Sequence, residues 1–268
     1  MSEQMIAVIG AGKMGEALVS GLLKAGTSPD DLIITERYEE RAHELSQRYG
    51  VKSVSNAEAA NQAETIVIAV KPQDMEALLA ELAPVVTLDR LIVTIAAGIT
   101  TAAIERRLAA GVPVVRVMPN TPALVGEAMS AVAPGAHASA EHLDRAEALF
   151  RPVGRVVRLP ESQLDAVTAL SGSGPAYVFY LVEAMTDAGI LLGLPRAVAH
   201  ELIVQTVYGA AVMLRETGEH PVALREAVTS PAGTTISAIR ELENHGVRAA
   251  FLAALEAARD RSRELAGE

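Results

Sequence analysis

The chain has 268 residues, half of them apolar, aromatics at only 3%, and a formal net charge of −10. The absence of cysteine excludes disulfides, thiolate metal sites and a cysteine nucleophile. The acidic balance and the lack of tryptophan speak against a nucleic-acid surface. Met1-Ser-Glu-Gln-Met5 lacks the basic region of a secretory signal, and the lack of cysteine fits a cytoplasmic protein.

The first expected element is a buried strand over Met5–Ile9. It runs into Gly10-Ala-Gly12-Lys13-Met14-Gly15 and then an amphipathic helix over Met14–Ala25. Alone, G-x-G-x-x-G is a weak pattern. Between a strand and a helix start it has a mechanical reading as a dinucleotide site. Gly10 permits the tight turn, Gly12 lets backbone approach a pyrophosphate, and Gly15 lets the helix pack close to the strand. The helix N-terminus then offers free N–H groups and a positive dipole end.

Further strands are expected at Leu32–Thr35, Thr65–Val70, Leu91–Ile95 and Val114–Met118, with helices at Glu39–Tyr49, Asn56–Gln62, Asp74–Leu82 and Thr101–Leu108 between them. Two shorter strands, Ser130–Ala133 and Val153–Leu159, flank a helix at Glu141–Phe150. Strands spaced by helices imply βαβ units, hence an α/β Rossmann-type domain with a parallel, doubly wound sheet over residues 1–160. After Pro160 strand signals stop. Gln163–Leu170, Pro175–Leu192, Pro195–Thr217, Pro221–Val228, Thr234–His245 and Val247–Leu265 all read as helices, started by Pro175, Pro195 and Pro221 and stopped by Gly193, Gly218 and Gly246. Residues 161–268 therefore form an all-α domain. No stretch is expected to span a membrane. The longest apolar one, Ala176 to Leu194, carries Glu183 and Asp187 near its middle.

In an open α/β sheet, ligands bind beyond the carboxyl ends of the strands. Glu36, 21 residues past Gly15, is placed to accept from the ribose hydroxyls of NAD(H), but Arg37 follows at once and suits the 2′-phosphate of NADP(H). Asn56 reads as a helix N-cap that could also lie against the adenine. Lys71, after Ala69-Val70 and before Pro72, could meet a phosphate, a ribose or the substrate, or stay solvated. Ala97 and Gly98 end the next strand, and Gly98 allows close approach. Pro119 stiffens the following tip, where Asn120 and Thr121 could line a nicotinamide pocket or simply form a turn.

The helical part is rich in alanine and poor in large side chains, so its core is thin and packing against a second copy is expected. Two polar segments interrupt it, Ser171-Gly-Ser173-Gly-Pro-Ala-Tyr177 and Thr229-Ser230-Pro-Ala-Gly233-Thr234-Thr235. Each runs into a helix start, where a small carboxylate would bind well. Capping needs only one such residue, and Ser230, Gly233, Thr234 and Thr235 together exceed that need. The six histidines are scattered, so no metal site is expected.

Taken in order, the segments A-V-I-G-A-G-K-M-G-E-A-L (7–18), Ala69–Pro72, Ala96–Thr100, Met118–Glu127, Ser171–Tyr177, Glu216–Pro221 and Thr229–Ile236 resemble pyrroline-5-carboxylate reductase along essentially the whole chain. The last three segments are the specific ones. Two positions depart: Ala128 and Ala232 stand where that family often has glycine. The resemblance implies reduction of 1-pyrroline-5-carboxylate to L-proline, the last step of proline synthesis, with NADPH or NADH. It implies a cofactor held by Gly10, Gly12, Lys13, Met14, Gly15, Glu36, Arg37, Asn56, Ala69, Val70, Lys71, Pro72, Ala97, Gly98, Pro119 and Asn120, with NADP(H) favoured weakly. It further implies a substrate carboxylate held at Ser230–Thr235, with Ser173 also on the substrate side, and the Thr235 hydroxyl bonded to the ring nitrogen. The C-terminal helices would interlock into a homodimer, which could assemble further. Rival readings are another imine reductase, a β-hydroxyacid or deazaflavin-linked enzyme of this architecture, or a non-catalytic NADP(H)-binding regulator. Residues 161–268 contain no lysine, which counts against a β-hydroxyacid dehydrogenase.

Overall fold

A computed structural model of the chain describes residues 5–266. Its elements run β1 (Ile6–Ile9), α1 (Lys13–Lys24), β2 (Leu32–Thr35), α2 (Glu39–Tyr49), β3 (Lys52–Ser53), α3 (Asn56–Gln62), β4 (Thr65–Ile68), α4 (Met75–Leu82), β5 (Leu91–Thr94), α5 (Thr101–Glu105), β6 (Val114–Met118), β7 (Ala128–Pro134), α6 (Ala140–Phe150) and β8 (Gly154–Arg158). Then follow α7 (Leu164–Val167), α8 (Gly174–Leu191), α9 (Arg196–Thr217), α10 (Pro221–Ala227), α11 (Thr234–Asn244) and α12 (Val247–Ala266).

The strands form one eight-stranded sheet in the order β3-β2-β1-β4-β5-β6-β7-β8. Residues facing one side (Val8, Ile34, Val67, Val93, Val115) pack with Leu18 of α1, Leu45 of α2 and Phe150 of α6. Those facing the other (Ile9, Ile33, Ile66, Ile68, Ile92, Val114) pack with Ala59 of α3, Leu79 of α4 and Ile104 of α5. A sheet buried on both faces reads as continuous apolar runs, which is how I-A-V-I, L-I-I-T and T-I-V-I look in the sequence.

Two features of the sheet differ from the sequence expectation. The edge strand β3 is only two exposed residues long, so no buried apolar run announces it. β7 is antiparallel to β6, whereas the expected sheet was parallel throughout. The connection over 119–127 is too short for a crossover helix, so the chain has to turn back. With α6 as crossover, β8 is again parallel to its neighbour.

The chain divides into two compact units, Met1–Ser173 with Ala258–Glu268, and Gly174–Ala257. The boundary expected at Pro160 coincides with the end of the sheet, but the first unit continues beyond it. Leu164 and Val167 pack on Ala131 and Ala133 of β7. Arg116, buried in β6, donates to Glu161 at 3.3 Å, and Glu161 accepts from the Thr101 N–H and hydroxyl at 2.8 and 2.6 Å. At the other end of the chain, the Ser262 hydroxyl donates to Asp165 at 2.7 Å, which ties the last turns of α12 to this unit.

In the second unit, buried residues are few among those described: Thr186, Ala199 and Ile203. Phe179, Tyr180, Leu191, Leu192, Tyr208 and Leu252 are all exposed. The helix α9 is long and apolar enough, by length and composition, to cross a membrane. This corrects the expectation that no stretch would qualify. Its charged residues Arg196, Glu201, Arg215 and Glu216 lie toward the ends and leave an apolar middle.

Candidate active site

The parallel register aligns the strand tips. Ile9 lies beside Thr35 and Ile68, Ile68 beside Thr94, and Thr94 beside Arg116. Loops 10–15, 36–37, 69–72, 97–98 and 119–120 therefore leave one edge of the sheet. Strand order reverses direction between β1 and β4, which is where an open α/β sheet has its binding crevice.

At that crevice the three glycines have three different reasons to be glycine. Gly10 turns the chain at φ +91°, and a Cβ there would sit 3.0 Å from the Ala69 backbone at the tip of β4. The N–H groups of Gly10 and Ala11 both donate to the Thr35 carbonyl, at 3.0 and 3.1 Å, fixing the loop to β2. A Cβ on Gly15 would lie 2.3 Å from the Gly10 carbonyl oxygen. Gly12 is the opposite case. It is the N-cap of α1, no side chain caps the helix, and nothing lies within 4 Å of where its Cβ would be. The protein leaves space over unpaired helix N–H groups, which is what an incoming phosphate requires. Lys13 is exposed beside it and Met14 is half-buried.

On the neighbouring tip, Glu36 accepts from the N–H groups of Arg37 and Tyr38 at 2.8 and 3.2 Å, holding the turn into α2. The Arg37 side chain is 80% exposed, with Asp74 at 4.0 Å. The cap of α3 is Ser55, whose hydroxyl accepts from the Glu58 N–H at 3.3 Å; it is not Asn56. Ser55 has the extended backbone a cap needs, which frees Asn56 for longer-range bonds. Asn56 accepts from the Thr35 hydroxyl at 2.7 Å and donates to Glu81 at 2.8 Å. The sequence reading missed Thr35, although a threonine closing an otherwise apolar strand was a visible signal. Lys71 and Pro72 are exposed at the tip after β4, with Ala69 and Val70 beside Gly10.

Ala97 is exposed, whereas Gly98 is buried, and the close neighbour of its missing Cβ is Leu265 of α12, at 3.4 Å. Asn120, past Pro119, does not leave its amide free. Its Oδ1 accepts from the Met129 N–H at 2.9 Å, and its Nδ2 lies 3.1 Å from the Ser171 carbonyl and 3.3 Å from the Ser171 hydroxyl. Ser173 closes a π-turn over Thr168–Gly172 by donating to the Thr168 carbonyl at 2.8 Å.

In the second unit, Ser230–Thr235 leads into α11. The N-cap is Gly233, which has no side chain to cap with. Ser230 lies beneath it: its carbonyl accepts from the Gly233 N–H at 3.1 Å, and a Cβ on Gly233 would meet the Ser230 hydroxyl. Among the described residues, the hydroxyls of Ser230, Thr234 and Thr235 take no part in capping this helix. Ala232 has φ +57° and is the one non-glycine residue with positive φ among those described.

Comparison with known proteins agrees with this geometry. Residues 161–265 match the family described as pyrroline-5-carboxylate reductase dimerisation. Residues 5–98 match that described as NADP oxidoreductase, coenzyme F420-dependent. A pyrroline-5-carboxylate reductase of Corynebacterium melassecola is 50% identical over 97% of this chain and 98% of its own. A solved structure of a pyrroline-5-carboxylate reductase from Coxiella burnetii superposes with a TM-score of 0.93 at 37% identity, covering 98% and 99% of the two chains. That of a Plasmodium falciparum pyrroline carboxylate reductase with NADP bound does so with a TM-score of 0.89 at 28% identity, over 99% of each. With half its residues shared with a reductase along nearly its whole length, the chain belongs to the pyrroline-5-carboxylate reductase family.

Proposed function

We propose that this chain reduces 1-pyrroline-5-carboxylate to L-proline, the closing step of proline biosynthesis. The observation that carries the reading is the Ser230–Thr235 turn, where three hydroxyls meet a helix N-terminus that none of them caps. Backbone N–H groups at a positive dipole end, with hydroxyls beside them, suit a small carboxylate.

The division of labour follows the chain. Residues 1–160 hold the dinucleotide and residues 161–268 hold the substrate and the second copy. The Gly12 cradle fits a pyrophosphate, with Gly10, Lys13, Met14 and Gly15 around it. Glu36, Arg37 and Asn56 serve the adenosine side, Ala69, Val70, Lys71 and Pro72 the middle, and Ala97, Gly98 and Pro119 the far end. A bound nicotinamide supplies the hydride. Ser230, Gly233 and Thr234 fix the carboxylate, and Ser173 is assigned to the substrate as well. Thr235 Oγ1 accepts from the ring N–H of the protonated imine and fixes its face. A protonated C=N is already electrophilic, so positioning by a hydroxyl is the main demand on the protein.

NADPH is the favoured cofactor, because Arg37 stands exposed at the tip of β2 where it can take the 2′-phosphate. Arg37→Ala should weaken NADPH by about fivefold, a loss of ~1 kcal/mol for an exposed ion pair, and leave NADH nearly unchanged. Equal effects on both would remove Arg37 from the cofactor site. The homodimer forms through the C-terminal helices, which covers the apolar side chains left open on α8, α9 and α12, and the enzyme works in the cytoplasm. The direct test of the activity is oxidation of NADPH or NADH by the purified chain with chemically prepared pyrroline-5-carboxylate, followed by absorbance. Tight cofactor binding without turnover would make the chain a regulator.

A further inference from the structure

We propose that Asn120 is a positioning residue that fastens the substrate-side turn at Ser171–Ser173 to the tip of β6, and that it is not a ligand of the nicotinamide. The inference rests on the reading of the chain as a pyrroline-5-carboxylate reductase. A side-chain amide has two N–H donors and one acceptor oxygen. In Asn120 the oxygen accepts from Met129 at the start of β7, and Nδ2 is directed at both the carbonyl and the hydroxyl of Ser171. The backbone is held as well, since the Asn120 carbonyl accepts from the Ala123 N–H at 3.1 Å. One side chain thus joins three pieces of chain: the β6 tip, the start of β7 and the turn ahead of α8.

The chain over Thr168–Gly172 is a single π-helical turn, wider than an α-turn and of a kind that frequently marks a functional site. Within it, the Ser173 N–H donates to the Thr168 carbonyl at 2.8 Å and the Thr168 hydroxyl to the Leu164 carbonyl at 2.8 Å. Both of these bonds are local, and Asn120 reaches the turn from 51 residues away. Beside it, Met118 fills the space over Gly172, where an added Cβ would come within 2.6 Å of the Met118 terminal carbon. The β6 tip therefore carries the turn on a polar joint and an apolar seat.

Hydride transfer is sensitive to small displacements of the reacting groups, and a misplacement of about 1 Å can cost 100-fold. Asn120→Ala should lower kcat by roughly 10- to 100-fold and leave the NADPH dissociation constant, measured by calorimetry, within about twofold. In the same variant, hydrogen exchange over 168–174 should become faster in the absence of any ligand. Asn120→Asp keeps the acceptor for Met129 but loses both donors. It should fold like the native chain and share the kcat loss and the faster exchange. Unchanged exchange over 168–174 in both variants would overturn the proposal, as would a weakened NADPH dissociation constant with native kcat at saturation. If the native protein itself does not turn over pyrroline-5-carboxylate, the functional reading fails, and the exchange comparison still decides whether Asn120 anchors the turn.

Discussion

In the proposed reaction Gly12 serves the cofactor and Thr235 the imine, and each has a substitution that isolates it. Gly12 has φ −66° and open space around its missing Cβ, so a larger side chain there meets the ligand rather than the protein. Gly12→Val should abolish binding of NADPH and NADH while costing ~1 kcal/mol or less of stability. Normal NADPH affinity in that variant, measured by calorimetry, would displace the cofactor from the loop. A hydrogen bond to a charged group is worth ~1.5–3 kcal/mol, so Thr235→Val should lower kcat/KM by roughly 10- to 150-fold with little change in melting temperature. Ser230→Ala should chiefly raise KM, because a carboxylate contact is made in the ground and transition states alike. If both variants melted lower but kept native kcat/KM, the hydroxyls would be structural. At this scale the sequence was most legible where the constraint is local. The glycine loop lies within six residues, and its logic could be read directly. Asn56 and Ser55 are equally good caps on paper, and only backbone geometry separates them. The bonds of Asn120 to Ser171 were not legible, because the two residues lie 51 positions apart.

Among the elements, the entry to α11 is the one that departs from the family's usual sequence. Ala232 occupies the left-handed region at φ +57°, where the family often has glycine. That conformation costs a residue with a Cβ about 1–2 kcal/mol, and the greater freedom of glycine in the unfolded chain returns about 0.4–1 kcal/mol of this. Ala232→Gly should therefore stabilise the protein by ~1 kcal/mol or less and raise Tm by about 2 °C. A fall in Tm on a thermal melt would show that the turn is held some other way. The strands were visible beforehand as apolar runs, and several C-terminal helices because prolines open or glycines close them. Pro221 stands at the start of α10, and Gly218 closes α9 in the left-handed conformation. The exceptions have physical causes. β3 is too short and too exposed to leave a hydrophobic period. The reversal of β7 is set by the length of a connection, which no strand-by-strand reading weighs.

At the level of the whole molecule, a helical unit with so few buried residues and so many exposed large side chains does not account for its own stability. The shortage of large apolar residues led to the expectation of a second copy, and the match of 161–265 to a dimerisation family supports homo-oligomerisation. Light scattering should show a dimer or a multiple of it at micromolar concentration, and a monomer would contradict the proposed assembly. In the proposed assembly a partner helix rather than lipid would cover the apolar middle of α9, so the protein should stay in the supernatant without detergent. The claim on which the rest depends is the reaction itself. The most direct measurement is the product balance of the purified chain supplied with pyrroline-5-carboxylate and limiting NADPH. The account predicts one L-proline formed for each NADPH consumed. NADPH consumed without proline, or bound without being consumed, would contradict it.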